Sequence, residues 1–157
     1  MNATPSKPGH RKAPGKHNAR LAAVQALYQM EIAKRGAAGV IKEFLEIRLD
    51  EAGEVDKTLF AKLVSEVVAH QDKIDEAIRG RLSGNWRLSR VDATLRAILR
   101  CGSCELLVLK DAPAAVVLDE YVEIAHDFFD AKETGFVNAT LDAIAKNPDK
   151  SLTKSDE

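Results

Sequence analysis

The sequence predicts a single all-α domain, a bundle of about seven helices with a flexible basic arm at its N-terminus. Helix-forming residues dominate a chain of 157 residues that is 45% hydrophobic, which is enough apolar material for one core. Apolar residues recur at spacings of three and four, and no segment alternates convincingly with period two, so strands are not needed. Short connections without an internal repeat favour an irregular bundle.

Composition divides the chain into three segments. Residues 1–16 are rich in Pro, Gly and Lys and offer nothing to bury, so we expect a flexible arm there. Residues 17–148 carry the helical periodicity and form the predicted domain. Residues 149–157 look like a frayed tail.

Three amphipathic helices are predicted in the first part of the domain. The first has an N-cap at Asn18 and a stop at Gly36. A short second helix covers residues 40–47. A third starts near Asp56, which is a residue type suited to a helix N-cap.

The middle of the domain predicts a fourth helix and then the most buried one. The fourth helix is closed by Gly80 or Gly84, and residues 85–88 form a connector. Ser89 and Asp92 have the spacing of a capping box, which opens a long helix that is apolar over most of its circumference. That helix is therefore expected at the centre of the bundle.

Two more helices complete the domain. Pro113 is expected to start one of them, because proline fits the first turn of a helix. Thr134 is the predicted N-cap of the last helix, and Pro148 ends it.

The charge distribution points to an anionic partner. The chain has a net charge of -1, yet no acidic residue precedes Glu31. The N-terminal cations are Lys7, Arg11, Lys12, Lys16 and Arg20. Nucleic acid is the leading candidate for the partner, and a solvated tail that only keeps the protein soluble is the alternative. If all five cations met single-stranded RNA, log affinity would fall with log salt at a slope of about -3.5.

Residue patterns for catalysis, cofactors or metals are missing from the sequence. Cys101 and Cys104 have the spacing of a redox or zinc motif, but they lie inside a predicted core helix without the βαβ context or further ligands, which favours buried structural cysteines. Glycine-rich phosphate loops are absent. Neither an apolar run of membrane-span length nor a signal-peptide pattern occurs, so we expect a soluble, cytoplasmic protein that is not an enzyme.

Four segments together resemble the NusB family of antitermination factors, in order and spacing. They are the stretch from Ala19 through Tyr28 to Gln29, the run 96–106, the segment 111–125, and Phe136-Val-Asn138-Ala-Thr-Leu141. The resemblance extends from about residue 10 to 146. It implies an all-helical fold and binding of single-stranded boxA-type RNA in nascent ribosomal RNA leaders.

The resemblance also implies partners and site residues. The partner would be a NusE-type small-subunit ribosomal protein, and the pair would join the antitermination complex on RNA polymerase. The RNA-binding residues so implied are the five N-terminal cations together with Tyr28, Arg96, Arg100, Lys132, Phe136 and Asn138.

Structural roles stay open for several of these residues. Tyr28 is either a stacking platform or half-buried core, and Arg96 and Arg100 either touch RNA or pair with acids of a neighbouring helix. Phe136 could instead be a core residue, and Asn138 a buried residue held by hydrogen bonds. As a whole, the alternative to RNA recognition is a protein-interaction module or a homodimeric scaffold.

Overall fold

Seven α-helices form the bundle in the computed structural model, which describes residues 14–51, 53–82 and 87–148. They are α1 (Pro14–Ala33), α2 (Ala37–Glu43), α3 (Lys57–Ala69), α4 (Gln71–Arg79), α5 (Ala93–Cys104), α6 (Ala114–Phe128) and α7 (Ala131–Lys146). Two π-helical turns, Phe44–Arg48 and Glu105–Leu109, extend α2 and α5. These ranges contain no strand, and the predicted all-helical fold is confirmed. No helix within them has the length and apolar character that a bilayer crossing requires.

Helix α5 lies at the centre, as its apolar circumference predicts. It packs against α1, α3, α4, α6 and α7. The side chains of Ile98 and Leu99 are completely buried in it. Burying such side chains supplies most of the free energy that holds a helical bundle together.

The boundaries of α1 differ from the prediction. The helix begins at Pro14 because proline suits the first turn, where its missing N–H costs no hydrogen bond. Asn18 therefore lies in the second turn, and its side-chain amide donates to the carbonyl oxygen of Glu54 at 2.8 Å. At the other end, α1 ends at Ala33, followed by Lys34 in the left-handed conformation with φ 57°, rather than at Gly36.

The predicted starts of α5 and α7 are also wrong by a few residues. Asp92, not Ser89, caps α5, since its carboxylate accepts hydrogen bonds from the backbone N–H groups of Thr94 and Leu95. Ser89 lies in the short 3-10 turn Leu88–Arg90. Helix α7 begins at Ala131, so Thr134 is inside its first turn. The predicted starts near Asp56 and Pro113 are confirmed.

A glycine on α5 tests how tightly the core is packed. A Cβ atom on Gly102 would lie 2.7 Å and 3.0 Å from the two δ-carbons of Leu141, which is fully buried. We expect Gly102→Ala to lower the free energy of unfolding by about 1 to 3 kcal/mol, because overpacked cores strain their neighbours. The matched control is Gly135→Ala on the exposed side of α7, where nothing lies within 4 Å of the added carbon.

Denaturant titration distinguishes the two variants. Gly135→Ala should raise the free energy of unfolding by about 0.5 to 1 kcal/mol, since alanine favours helix over glycine. Equal effects of the two substitutions would show that the α5–α7 contact is looser than these distances imply.

Candidate nucleic-acid interface

The last residues of the predicted basic arm lie in the first turn of α1. Lys7, Arg11 and Lys12 lie outside the described residues, whereas Lys16 is exposed on α1. Their contacts with RNA remain predictions, as do the limits of the arm at residue 16 and of the tail at 149.

Neighbouring elements hold this first turn in place. The backbone N–H of Asp56 donates to the carbonyl oxygen of Gly15 at 3.0 Å. On the opposite side, Nδ1 of buried His17 lies 3.1 Å from Oε1 of Glu120 on α6. The chain that precedes Pro14 therefore starts from a fixed point on the body.

Arg20 lies in the core, although the sequence groups it with the arm cations, and only 4% of its surface is exposed. Its Nε and Nη2 donate to the two carboxylate oxygens of Glu105 at 2.6 and 3.1 Å. Its Nη1 donates to Oε1 of Glu120 at 3.1 Å. The hydroxyl of Tyr121 also donates to Glu105, at 2.6 Å. These contacts give Arg20 a structural task, and its contact with RNA stays a prediction.

The protonation states of this buried cluster follow from its contacts. Burial opposes the charge of Arg20, but the hydrogen bond and attraction of Glu105 outweigh burial and raise the pKa of Arg20. Burial also acts to raise the pKa of Glu120, yet His17 and Arg20 hold that pKa below its ordinary value. Both ions therefore stay charged in the folded protein at neutral pH.

Among the described residues, one group of potential metal ligands lies together, formed by His17, Glu120 and Glu123. The same Oε1 atom of Glu120 already faces the ring nitrogen of His17 and a guanidinium N–H of Arg20. The guanidinium of Arg20 therefore supplies, at the Glu120 carboxylate, the positive charge that a metal ion would bring.

The two cysteines are both free and buried, as predicted for structural cysteines. Burial raises the pKa of the Cys104 thiol to about 12 and raises that of Cys101 well above its ordinary value. Burial also raises the pKa of Tyr121, which is enclosed beside Glu105. All three groups therefore hold their protons to a higher pH in the folded protein than in the unfolded chain.

We therefore expect the stability to fall as the pH rises above about 9, because the unfolded thiols and phenol release protons that the folded state retains. The loss should be about 1.4 kcal/mol per pH unit for each thiol. Urea titrations between pH 8 and 10.5 measure it, and Cys104→Ala should make the slope shallower. A free energy of unfolding that stays constant over this range would contradict the assigned burial.

Arg96 and Arg100 lie in a cleft of about 640 Å³ between α4, α5 and the Leu88–Arg90 turn, which we call the arginine cleft. Arg96 donates to the backbone carbonyl of Leu88 at 3.1 Å and pairs with Glu31. Arg100 donates through two nitrogens to Asp75 at 2.8 and 2.9 Å. Both arginines thus have acidic partners on neighbouring helices, and their contact with RNA remains a prediction.

Tyr28 lines a groove of about 280 Å³ between α1 and the end of α6, which we call the Tyr28 groove. Tyr28 is 40% exposed and Phe128 is 44% exposed, so two aromatic rings are open to solvent here. The lining residues are Val24, Gln25, Tyr28, Gln29, Arg48, Thr94 and Phe128. Rings for stacking and side-chain amides for hydrogen bonding are the groups that recognise unpaired bases.

A second groove of about 250 Å³ lies at the start of α5 and at the corner between α6 and α7, and we call it the Lys132 groove. Its residues Leu95 and Phe129 directly follow Thr94 and Phe128 of the Tyr28 groove in the chain. Its lining residues are Arg90, Val91, Asp92, Leu95, Phe129, Lys132, Glu133 and Phe136. The structure therefore brings Tyr28, Lys132 and Phe136 to two neighbouring grooves. Asn138 is exposed on α7 but lines neither groove.

Several groove residues are absent from the sequence-based prediction. Gln25 and Gln29 could have been found there, because Gln25 lies three residues before Tyr28 and four before Gln29, and both spacings place helix residues side by side. Arg48 and Thr94 reach the groove from distant parts of the chain, and no local pattern marks them.

Comparison with known proteins points to one family. The sequence model described as the NusB family matches residues 17–146. The chain is 53% identical over 135 residues to a transcription antitermination protein NusB of Caulobacter vibrioides, covering 82% of this chain and 91% of that protein. It is 49% identical over 152 residues to the NusB protein of Maricaulis maris, covering 92% and 95%.

Solved structures share the fold. A structure of T. maritima NusB superposes with a TM-score of 0.71 at 31% identity, covering 87% of this chain and 96% of that one. A crystal structure of antitermination factors NusB and NusE in complex with dsRNA gives a TM-score of 0.75 at 28% identity, covering 85% and 98%.

Proposed function

The chain belongs to the NusB family of transcription antitermination proteins, and we propose that it binds boxA-type RNA in ribosomal RNA leader transcripts together with a NusE-type ribosomal protein. In this role it joins the antitermination complex on RNA polymerase, in the cytoplasm, and suppresses premature termination. The family is not enzymatic. The chemistry to be explained is therefore recognition of RNA.

The pair of adjoining grooves carries this proposal. Tyr28 and Phe128 offer exposed rings at one groove, and Lys132 and Phe136 line the next. Stacking of a base on an aromatic side chain contributes about 1 to 3 kcal/mol, and amides such as that of Gln25 read base edges. Such grooves suit unpaired bases, so we propose that the RNA is single-stranded where it meets them.

The N-terminal cations are within reach of the same grooves. Tyr28 lies fourteen residues after Pro14, which is about 21 Å along α1. The seven residues from Pro14 back to Lys7 span about 23 Å when the chain is extended. Cations that precede Pro14 can therefore reach phosphates of an RNA held at the grooves, and Lys16 lies at the point of entry.

Relatives support the partner. The solved complex contains NusE and RNA together with a NusB protein of the same fold. That complex is described with double-stranded RNA, whereas we propose a single-stranded segment for this chain, so the test below includes a duplex.

Fluorescence anisotropy tests the proposal with a labelled boxA-type RNA, a scrambled RNA of the same composition, and the boxA-type duplex. Each is titrated with the protein alone and with the NusE-type partner. We expect preference for the single-stranded boxA-type RNA, sharpened by the partner. Equal, weak binding of all three RNAs would overturn the proposal and favour the protein-interaction scaffold.

A further inference from the structure

We infer that Arg48 holds a backbone phosphate of an RNA lying in the Tyr28 groove, and that Glu43 competes with the phosphate for this arginine. The inference rests on the proposed function, since it assigns a contact at the same RNA surface. It adds a cation of the helical body to those of the arm.

Arg48 is at the rim of the Tyr28 groove. It ends the π-helical turn Phe44–Arg48 and lines the groove opposite α1 and the end of α6. Its side chain is 48% exposed. A ligand that stacks on Tyr28 or Phe128 therefore meets a guanidinium at the edge of the same groove.

The guanidinium is held by an aromatic ring. Its central carbon lies 5.0 Å from the ring centroid of Phe44, which is buried and stacks on Phe60 with centroids 5.5 Å apart. Stacking orients a guanidinium while its N–H donors, which lie in the guanidinium plane, stay available to a phosphate. The side chain thus loses less freedom when it binds an anion than a mobile lysine would.

The charge of this groove is unbalanced. Arg48 is the only formally charged side chain among the described residues that line it. The arginine cleft, by contrast, is lined by four arginines and two carboxylates, and Glu31 and Asp75 already pair with Arg96 and Arg100 there. An anion in the Tyr28 groove therefore meets one guanidinium and no carboxylate, whereas in the cleft it would compete with two carboxylates for Arg96 and Arg100.

Glu43 is the one acidic partner of Arg48 among the described residues, and the pair is loose. Nη2 of Arg48 lies 3.4 Å from Oε2 of Glu43, while the other oxygen of Glu43 takes a closer contact with Arg35. Exposed ion pairs of this kind contribute little and yield readily to a stronger anion. Arg35 can keep Glu43 neutralised when Arg48 turns to a phosphate.

The test measures affinity of the full-length protein for the boxA-type RNA between about 0.05 and 0.3 M salt. Arg48→Ala should weaken binding about fivefold at about 0.1 M salt and make the slope of log affinity against log salt shallower by about 0.7. Arg48→Lys should keep most of the slope, because it keeps the charge. Glu43→Gln should strengthen binding about twofold to threefold, since it removes the competitor.

Arg79→Ala is the matched control, because Arg79 is exposed and lines the arginine cleft instead. It should leave affinity and slope as in the natural protein. Circular dichroism confirms that each variant is folded, and Arg48→Gln, which removes the charge but keeps most of the side chain, serves if Arg48→Ala is not.

Two outcomes separate this inference from the proposed function. If the natural protein shows no preference for the boxA-type RNA, the proposed function fails. If the preference is present but Arg48→Ala keeps the slope of the natural protein, the inference alone is overturned. The same holds if Arg79→Ala loses as much affinity and slope as Arg48→Ala.

Discussion

Replacing Glu105 by alanine is expected to lower the free energy of unfolding by about 3 to 5 kcal/mol. Glu105 is 3% exposed and accepts two hydrogen bonds from Arg20 and one from the hydroxyl of Tyr121. Without this carboxylate the buried guanidinium keeps only Glu120 as a carboxylate partner, and the desolvation of its charge is poorly compensated. Denaturant titration at neutral pH measures the loss.

An exposed ion pair provides the control. Nζ of Lys62 lies 3.0 Å from Oδ2 of Asp111, and both side chains are about half exposed or more. Asp111→Ala should change stability by less than about 0.5 kcal/mol. A loss of under about 1 kcal/mol for Glu105→Ala would show that the buried cluster does not hold α1 to the core.

Removing the arm cations should have the largest effect on RNA binding. The variant replaces Lys7, Arg11, Lys12 and Lys16 by alanine and leaves Arg20, because that side chain is buried. Four phosphate contacts to a single strand correspond to a salt slope of about -2.8, so affinity at about 0.1 M salt should fall by roughly 100- to 1,000-fold. Arg48 accounts for about -0.7 of the slope that remains.

A charge-matched control keeps this result interpretable. Alanine at four exposed lysines of the body, Lys34, Lys42, Lys57 and Lys73, removes the same charge away from both grooves. Its slope should stay close to that of the natural protein. The contribution assigned to the arm is wrong if the arm variant keeps its slope, or if both variants lose it equally.

The fold could be predicted from the sequence because helical periodicity is a local property. Asp56 and Pro113 mark helix starts that the structure confirms. Ser89 does not, because a nearer acceptor, the carboxylate of Asp92, caps the helix once the chain turns at residues 88–90. Which of two suitable caps is used depends on the path of the chain.

The candidate site was less accessible to sequence reasoning. Arg20 follows Lys16 by four residues and carries the same charge, yet one is buried and the other exposed. Glu105 lies 85 residues away from Arg20, and a pairing over that distance leaves no local pattern. Arg48 likewise has no local pattern that links it to Tyr28, because the two residues line one groove only in the folded chain.

The central claim is that the Tyr28 and Lys132 grooves form the RNA surface. Titrating isotope-labelled protein with boxA-type RNA and following backbone amide chemical shifts tests this claim directly. The largest changes should occur at the residues that line the two grooves, together with Lys16. Changes confined to the arginine cleft, around Asp75 and Arg79, would contradict the claim and move the RNA to the other side of the Leu88–Arg90 turn.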